Sequence, residues 1–267
     1  MSNILDRILE TKREEVSAAK VARPFESVMA EARAAPAPRD FLGAMRAKIA
    51  AGQPAVIAEI KRASPSAGQF RTADAPAFDV ARFAVAYEAN GAACLSVLTD
   101  RNYFHGLMED LIAARAACAL PVLRKDFIVD EYQIAEARAA GADAVLFIMG
   151  TAPVAQFKTW EALAAELGMA VLAESHSAEE LDDALQLATP LIGINNRDLT
   201  RFVTEVQRTL DLKAHVPVDR ILVTESGIDT PEIARMMRRE GVSAFLIGGA
   251  FMSQPDPGLA LRNHFLE

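Results

Sequence analysis

Eight short apolar runs of strand-forming composition recur from Ala55 towards the C-terminus, and nothing else in the chain restricts its fold so tightly. They read AVIAEI, CLSVL, PVLRKDF, AVLFIM, AVLAES, LIGINN, ILVTES and AFLIGG, and their starts lie 21 to 39 residues apart. That spacing holds one strand, one helix and two turns. The runs are continuous rather than alternating, which marks strands covered on both faces, as parallel strands joined by helices are. Helical spacing shows between them in Val80, Phe83, Ala84 and Tyr87, in Leu107, Leu111, Ile112 and Arg115, and in Ile134, Ala135 and Arg138. Gly91, Gly141, Gly168 and Gly241 each stand just before a run, where a left-handed residue stops a helix at least cost. Thr230 followed by Pro231 reads as a helix cap and first helical residue. Eight strand–helix units over residues 55–267 are the content of an α/β fold, the (β/α)8 or TIM barrel. An open doubly wound sheet is the rival, but no G-x-G-x-x-G follows the first run.

Residues 1–54 stand outside the repeat, as a helical extension of a single barrel domain spanning 1–267. Ile4, Leu5, Ile8, Leu9 and Val16 mark an amphipathic helix, AAPAPRD a loop, and Phe41 to Ile49 a second helix. Such an extension can plug the floor of a barrel or cover its catalytic mouth, and the pattern leaves both open.

Composition removes several function classes. With 51% apolar and 24% charged residues the chain is globular. A net charge of -8 argues against a nonspecific nucleic-acid binder, whose affinity rests on neutralising phosphates. No apolar run approaches a membrane span of about 18 residues, and the charged N-terminus lacks the core of a secretory signal. Cys94 and Cys118, both in apolar stretches, are too few for a disulfide framework and fit a cytoplasmic protein. The four histidines show no metal-ligand spacing.

In a barrel the catalytic groups gather where the strands end, and here those ends are polar. They carry Glu59 and Lys61, Lys125 and Asp126, Glu174 and His176, Asn195, Asn196 and Arg197, then Glu225 and Ser226. One such residue would be an ordinary buried ion pair. Five strands ending so point to a mixed acid–base pocket, because stacking charges at one mouth gains a core nothing. Glycine turns at Gly227 and at Gly248-Gly249 let backbone N–H groups approach an anion, and barrels often hold phosphate after strands seven and eight. The first strand–helix link is unusually long and reads as a movable cover carrying Lys61 and Ser64, or as a passive insertion.

The strings AEIKRASPS, LTDRNYFHG, LRKDFIVDEYQI, AVLAESH, LIGINNRDLTRF, VTESGI and FLIGGAFM, spread over essentially the whole chain, resemble the indole-3-glycerol phosphate synthase family. The resemblance implies a TIM barrel with an N-terminal helical extension, and a second, fused enzyme domain is not expected. It implies conversion of 1-(2-carboxyphenylamino)-1-deoxyribulose 5-phosphate to indole-3-glycerol phosphate, with loss of carbon dioxide and water and without metal or organic cofactor. On the same basis Lys125 is the general acid, and Glu59, Lys61, Glu174 and Asn195 complete the catalytic set. Ser64, Arg197, Glu225 and Ser226 contact substrate, and Phe104, Phe127, Leu146 and Leu199 wall its aromatic ring. Lys61, Gly227, Gly248 and Gly249 hold phosphate. The implied partner is a small phosphorylated substrate, with no nucleic acid, membrane or obligate protein partner. Ser175 before His176, the FHGLMED loop and the Gly248-Gly249 pair depart from the family pattern. A sugar-phosphate isomerase of similar shape would carry Cys on the first strand and Asp on the fifth, and a non-catalytic phosphometabolite-binding barrel would need no opposed acids and bases.

Overall fold

The computed structural model describes residues 4–65, 68–70, 78–198 and 203–266. Eight strands, β1 (Ala55–Ile60), β2 (Cys94–Leu98), β3 (Val122–Lys125), β4 (Ala144–Ile148), β5 (Ala170–Ser175), β6 (Leu191–Asn195), β7 (Ile221–Glu225) and β8 (Ala244–Ile247), close into one parallel barrel. Each strand pairs with its sequence neighbours, and β8 closes on β1 through Ala55↔Ala244 and Ala58↔Ile247. The eight expected runs are the eight strands.

Side-chain parity sorts each strand into two sets, since alternate residues point to opposite faces. Val56, Ala58 and Ile60, Leu95 and Val97, Val145 and Phe147, and Val171 and Ala173 face the helices and join the outer core. Ile57, Cys94, Leu123, Ala144, Leu146, Leu172, Leu191, Val223, Ala244 and Leu246 fill the barrel interior. Continuing the inward parity to the ends of β1, β3, β5, β6 and β7 reaches Glu59, Lys125, Glu174, Asn195 and Glu225. The interior is therefore an apolar floor under a polar layer.

The helices are α1 (Ile4–Ala22), α2 (Phe25–Ala34), α3 (Phe41–Ala50), α4 (Val80–Ala89), α5 (Arg101–Phe104), α6 (Met108–Ala117), α7 (Glu131–Ala139), α8 (Val154–Glu166), α9 (Ala178–Ala184), α10 (Gln207–Leu212), α11 (Pro231–Arg239), α12 (Gly249–Met252) and α13 (Pro257–His264). Side-chain caps fix several of these starts. Asp40, Asp79, Asp130, Ser177, Thr230 and Asp256 each accept a first-turn backbone N–H, a cap worth about 1 kcal/mol. Gly91, Gly141, Gly168 and Gly241 all have positive φ, as their places before strands required. Some links hold more than one helix: α5 and α6 both follow β2, and α12 and α13 both follow β8. The first link adds an antiparallel two-residue ladder, Ala63–Ser64 with Gly68–Gln69.

The extension contains three helices rather than two. Pro24 interrupts the first, and α2 then buries Val28, Met29 and Ala32, packing its small apolar stripe against the barrel helix α7. The choice between plug and cover divides along the chain. In α3, Phe41 and Met45 close the barrel floor, and Cys94 Sγ at the start of β2 donates to the Phe41 carbonyl. In α1, Lys12 meets Asp100 and Asp126, which follow the C-terminal ends of β2 and β3. Thus α1 lies at the polar mouth and α3 at the opposite one. No described helix is long and apolar enough to cross a membrane.

Candidate active site

A cavity of about 350 Å³ opens at the polar mouth. Glu59, Lys61, Ser64, Phe104, Lys125, Phe127, Leu146, Glu174, Asn195, Arg197, Glu225, Ser226, Gly227, Gly248 and Gly249 all line it. Leu199, expected in the apolar wall, lies outside the described residues, as does much of the segment read as a cover, residues 66–67 and 71–77. Within that link Ser64 is buried in the small ladder, and Lys61 sits with its Nζ 5.2 Å from the Phe70 ring centroid.

Three ionisable groups form the centre. Lys125 Nζ lies 2.5 Å from Glu174 Oε2 and 3.2 Å from Glu225 Oε2. Burial opposes the ammonium charge, but Glu174, Glu225 and Glu59 outweigh it and hold Lys125 above the ordinary lysine range. Burial likewise opposes the Glu174 charge, yet Lys125 and His176 hold its carboxyl well below the usual range. For Glu225, burial and then repulsion from Glu174 push the carboxyl up to about 8, against the pull of Lys125. At neutral pH the centre therefore holds an ammonium, a carboxylate and a carboxylic acid. Two carboxyls with opposed proton states beside one cation can supply an acid and a base at once.

Each group is held by a strand end. Asn195 Nδ2 donates to Glu174 Oε1 at 3.0 Å, while its Oδ1 accepts the Arg197 N–H. A glycine on β6, Gly193, gives the Glu225 carboxyl room: a Cβ there would stand 2.5 Å from Glu225 Oε1. Gly248 does the same for Glu59, whose carboxylate would collide with any side chain at that position. Glu59 Oε1 pairs with Lys61 Nζ at 2.5 Å, a second acid–base pair on the opposite wall.

The turn after β7 is built from buried polar groups. Asn196 Nδ2 donates to Thr224 Oγ1 and to the Ser226 carbonyl, both at 3.0 Å, and its Oδ1 accepts from Thr209. This pins Ser226 at φ 63 and Gly227 at φ 76. A left-handed serine costs roughly 1 kcal/mol or more, so the network over-determines a conformation that plain turn preference would reject.

Two neighbours in the cavity wall, Ile148 and Phe70, were not read from the sequence, whereas His176 was among the polar strand ends. Ile148 is two residues beyond Leu146 on β4, and strand parity alone would have found it. Phe70 lines the cavity against Gly249, from a loop whose course no pattern betrays. His176 reaches Glu174 Oε1 at 3.2 Å through Nε2 and Glu180 Oε2 at 3.1 Å through Nδ1. Burial works against its protonation, but hydrogen bonds to Glu174 and Glu180 prevail and raise it to about 9. Among the described residues no cluster of His, Cys, Asp and Glu could hold a metal ion.

The comparisons with known proteins agree with this geometry. A family model for indole-3-glycerol phosphate synthase matches residues 5–264. An indole-3-glycerol phosphate synthase of Aromatoleum aromaticum is 59% identical over 99% of this chain and 100% of its own length, and one of Dechloromonas aromatica is 58% identical over the same shares. Among solved structures, a tryptophan synthase subunit alpha from Legionella pneumophila has a TM-score of 0.61 at 15% identity, covering 84% of this chain and 96% of its own. An N-acetylmannosamine-6-phosphate 2-epimerase from Clostridium perfringens gives 0.54 at 15% identity, over 73% and 86%. The structural likenesses show the barrel fold alone. The sequence matches show more: the chain belongs to the indole-3-glycerol phosphate synthase family, carboxy-lyases of tryptophan biosynthesis.

Proposed function

We propose that the polar mouth performs the whole reaction, with roles divided between the two acid–base pairs. The substrate is 1-(2-carboxyphenylamino)-1-deoxyribulose 5-phosphate. Phe104 and Phe127, whose ring centroids lie 6.0 Å apart, form with Leu146 an apolar wall for its aromatic ring, and Leu199, outside the described residues, is expected to add to it. Arg197 takes the ring carboxylate through its planar fork. Backbone N–H groups at Gly227, Gly248 and Gly249, with Lys61, receive the phosphate, while Ser64 and Ser226 contact the chain between.

The ring carbon bearing the carboxylate attacks the ketone carbon, and the carbonyl electrons move to oxygen. Lys125 protonates that oxygen; an alkoxide is a far stronger base than an amine, so the transfer runs downhill even from a tightly held ammonium. The carboxylate leaves as carbon dioxide, returning its electron pair to the ring. Dehydration then removes a proton from the neighbouring carbon and the new hydroxyl as water. Glu174, held anionic by Lys125 and His176, takes the carbon-bound proton, and Glu225, protonated at neutral pH, gives its proton to the departing hydroxyl, which leaves as water; Glu174 then returns a proton to Glu225 and solvent reprotonates Lys125. Glu59 and Lys61 form the alternate base and acid, and Asn195 fixes Glu174.

The observation that carries this reading is the Lys125–Glu174–Glu225 cluster, one ammonium within 3.2 Å of two carboxyls in one cavity. The protein is read as a cytoplasmic, cofactor-independent single barrel domain acting on a small phosphorylated molecule. The test follows indole fluorescence as the aminodeoxyribulose phosphate is consumed. Glu174→Gln should lower kcat by at least about 100-fold; a turnover within threefold of the parent would remove Glu174 from the chemistry.

A further inference from the structure

The N-terminal helix α1 sends one lysine into the barrel rim. Lys12 has only 5% of its side chain exposed, and its Nζ lies 2.7 Å from Glu15, 3.0 Å from Asp100 and 3.1 Å from Asp126. Burying an ammonium is costly unless it is paired and hydrogen-bonded, so this lysine needs a reason to be inside. Its two rim partners supply one. Asp126 stands between Lys125 and Phe127 in sequence; its Oδ1 accepts the Phe127 N–H at 2.8 Å, and its Oδ2 accepts from Thr99 and Arg124. Asp100 caps α5, with Oδ1 accepting from Tyr103 and Phe104 N–H groups. Asp100 Oδ2 makes no hydrogen bond among the described residues and meets Lys12 as an ion pair. Thr11 Oγ1 lies 2.9 Å from the Tyr103 hydroxyl, and Asn102 Nδ2 donates to Glu15 at 2.5 Å, so α1 grips α5 on both sides of Lys12.

Phe104 and Phe127 thus hang from two aspartates that share one cation. We infer that Lys12 is a positioning residue for the aromatic wall: by tying Asp100 to Asp126 it fixes Phe104 against Phe127 and so sets the surface on which the substrate's ring packs. Lys12 is not among the residues that line the cavity with the catalytic groups and the glycine turns. The role rests on the reading of Phe104 and Phe127 as the ring walls. It makes α1 a working part of the ring subsite, distinct from the floor-closing role of α3.

The experiment measures KM, kcat and the inhibition constant of inorganic phosphate for the full chain. Lys12→Met keeps the aliphatic volume and removes the tie; Lys12→Met with Asp100→Asn also removes the carboxylate left without a partner, while the asparagine oxygen keeps the α5 cap; Lys12→Arg restores the charge. Phe127→Ala reports on the ring wall itself. We expect KM to rise about tenfold in both Lys12→Met proteins, kcat to stay within about threefold, the phosphate constant to stay within twofold, and Lys12→Arg to recover most of the loss. If Phe127→Ala raises KM while the double variant keeps the parent's KM, the inference is overturned and the ring-wall reading stands. If Phe127→Ala leaves KM unchanged, the ring-wall reading fails and takes the inference with it. A parallel weakening of phosphate binding in the double variant would also overturn it, since a general loosening of the rim would then explain the KM.

Discussion

Replacing Lys125 with methionine separates chemistry from architecture. Methionine preserves most of the side-chain volume inside the mouth but removes the ammonium that touches Glu174 at 2.5 Å and Glu225 at 3.2 Å. Removing one partner of a buried ion pair costs roughly 3–5 kcal/mol when it strands a charge. Here the penalty should fall towards the lower end, because Glu225 already carries a proton that the two carboxyls can share. The kinetic loss is larger in its consequence. A positioned general acid contributes about 100-fold to 10,000-fold, or roughly 3–5 kcal/mol of barrier, and Lys125→Met removes it together with the cation that keeps Glu174 ionised. We expect kcat to fall by at least about 1,000-fold, the phosphate inhibition constant to stay within threefold, and thermal melting to remain cooperative. Lys125→Arg should also be inactive, because a guanidinium keeps the charge without readily releasing a proton. Indole fluorescence under single-turnover conditions reads the chemical step directly. A kcat within tenfold of the parent in Lys125→Met, or strong activity in Lys125→Arg, would refute the assignment of the acid.

Stability should depend on pH through the raised carboxyl. Glu225 titrates near 8 when folded against an ordinary value of 4.5, so between those pH values the folded chain binds a proton that the unfolded chain releases, and stability falls as pH rises. His176, raised to about 9 from 6.5, loses its contribution over that higher window, whereas Glu174, held low, loses its own only as the solution becomes acidic. Glu225→Gln should therefore flatten the decline of Tm between about pH 5 and 8; an unchanged slope in calorimetry would contradict the proton on Glu225. Gly193→Ala places a methyl against Glu225 Oε1 and should cost about 1–3 kcal/mol of stability with at least a tenfold drop in kcat. Parent-like turnover in that variant would mean that the Glu225 carboxyl is free to sit elsewhere.

The barrel was legible because its signal is repeated eight times, and most repeats carry stop or start chemistry in glycines such as Gly141 and caps such as Thr230. The site was legible for a related reason: Glu59, Lys125, Glu174 and Glu225 are ionisable residues closing apolar runs, where burial is costly and use is the better explanation. What escaped has no local signature. Lys12 reads as one more charged position on an amphipathic helix, and only closure of the chain brings it to Asp126, 3.1 Å away. The helix α2 was hidden in a stretch where alanine and charge blur the 3.6-residue period, and its apolar stripe is defined by α7 rather than by its own contrast. Asn196 looked like one of a pair of polar residues, yet Asn195 faces the cavity and Asn196 the buried turn network, because adjacent residues leave a strand end in opposite directions.

The same alternation explains how the mouth tolerates its charges. One cation and two carboxyls cannot all be ionised in a dry interior without a net charge, and a proton kept on Glu225 brings Lys125, Glu174 and Glu225 to neutrality. The Glu59–Lys61 pair is neutral by itself. On the proposed reading an anionic substrate enters a mouth balanced beforehand, with Arg197 meeting its carboxylate and the backbone N–H groups of the last two turns, together with Lys61, meeting its phosphate. The Lys125–Glu174–Glu225 set takes no part in that anion binding, so on this reading its acid and base persist side by side when the cavity fills. The apolar floor of Leu123, Leu146, Leu172, Val223 and Leu246 beneath them supplies the burial that lets the fold carry such a layer.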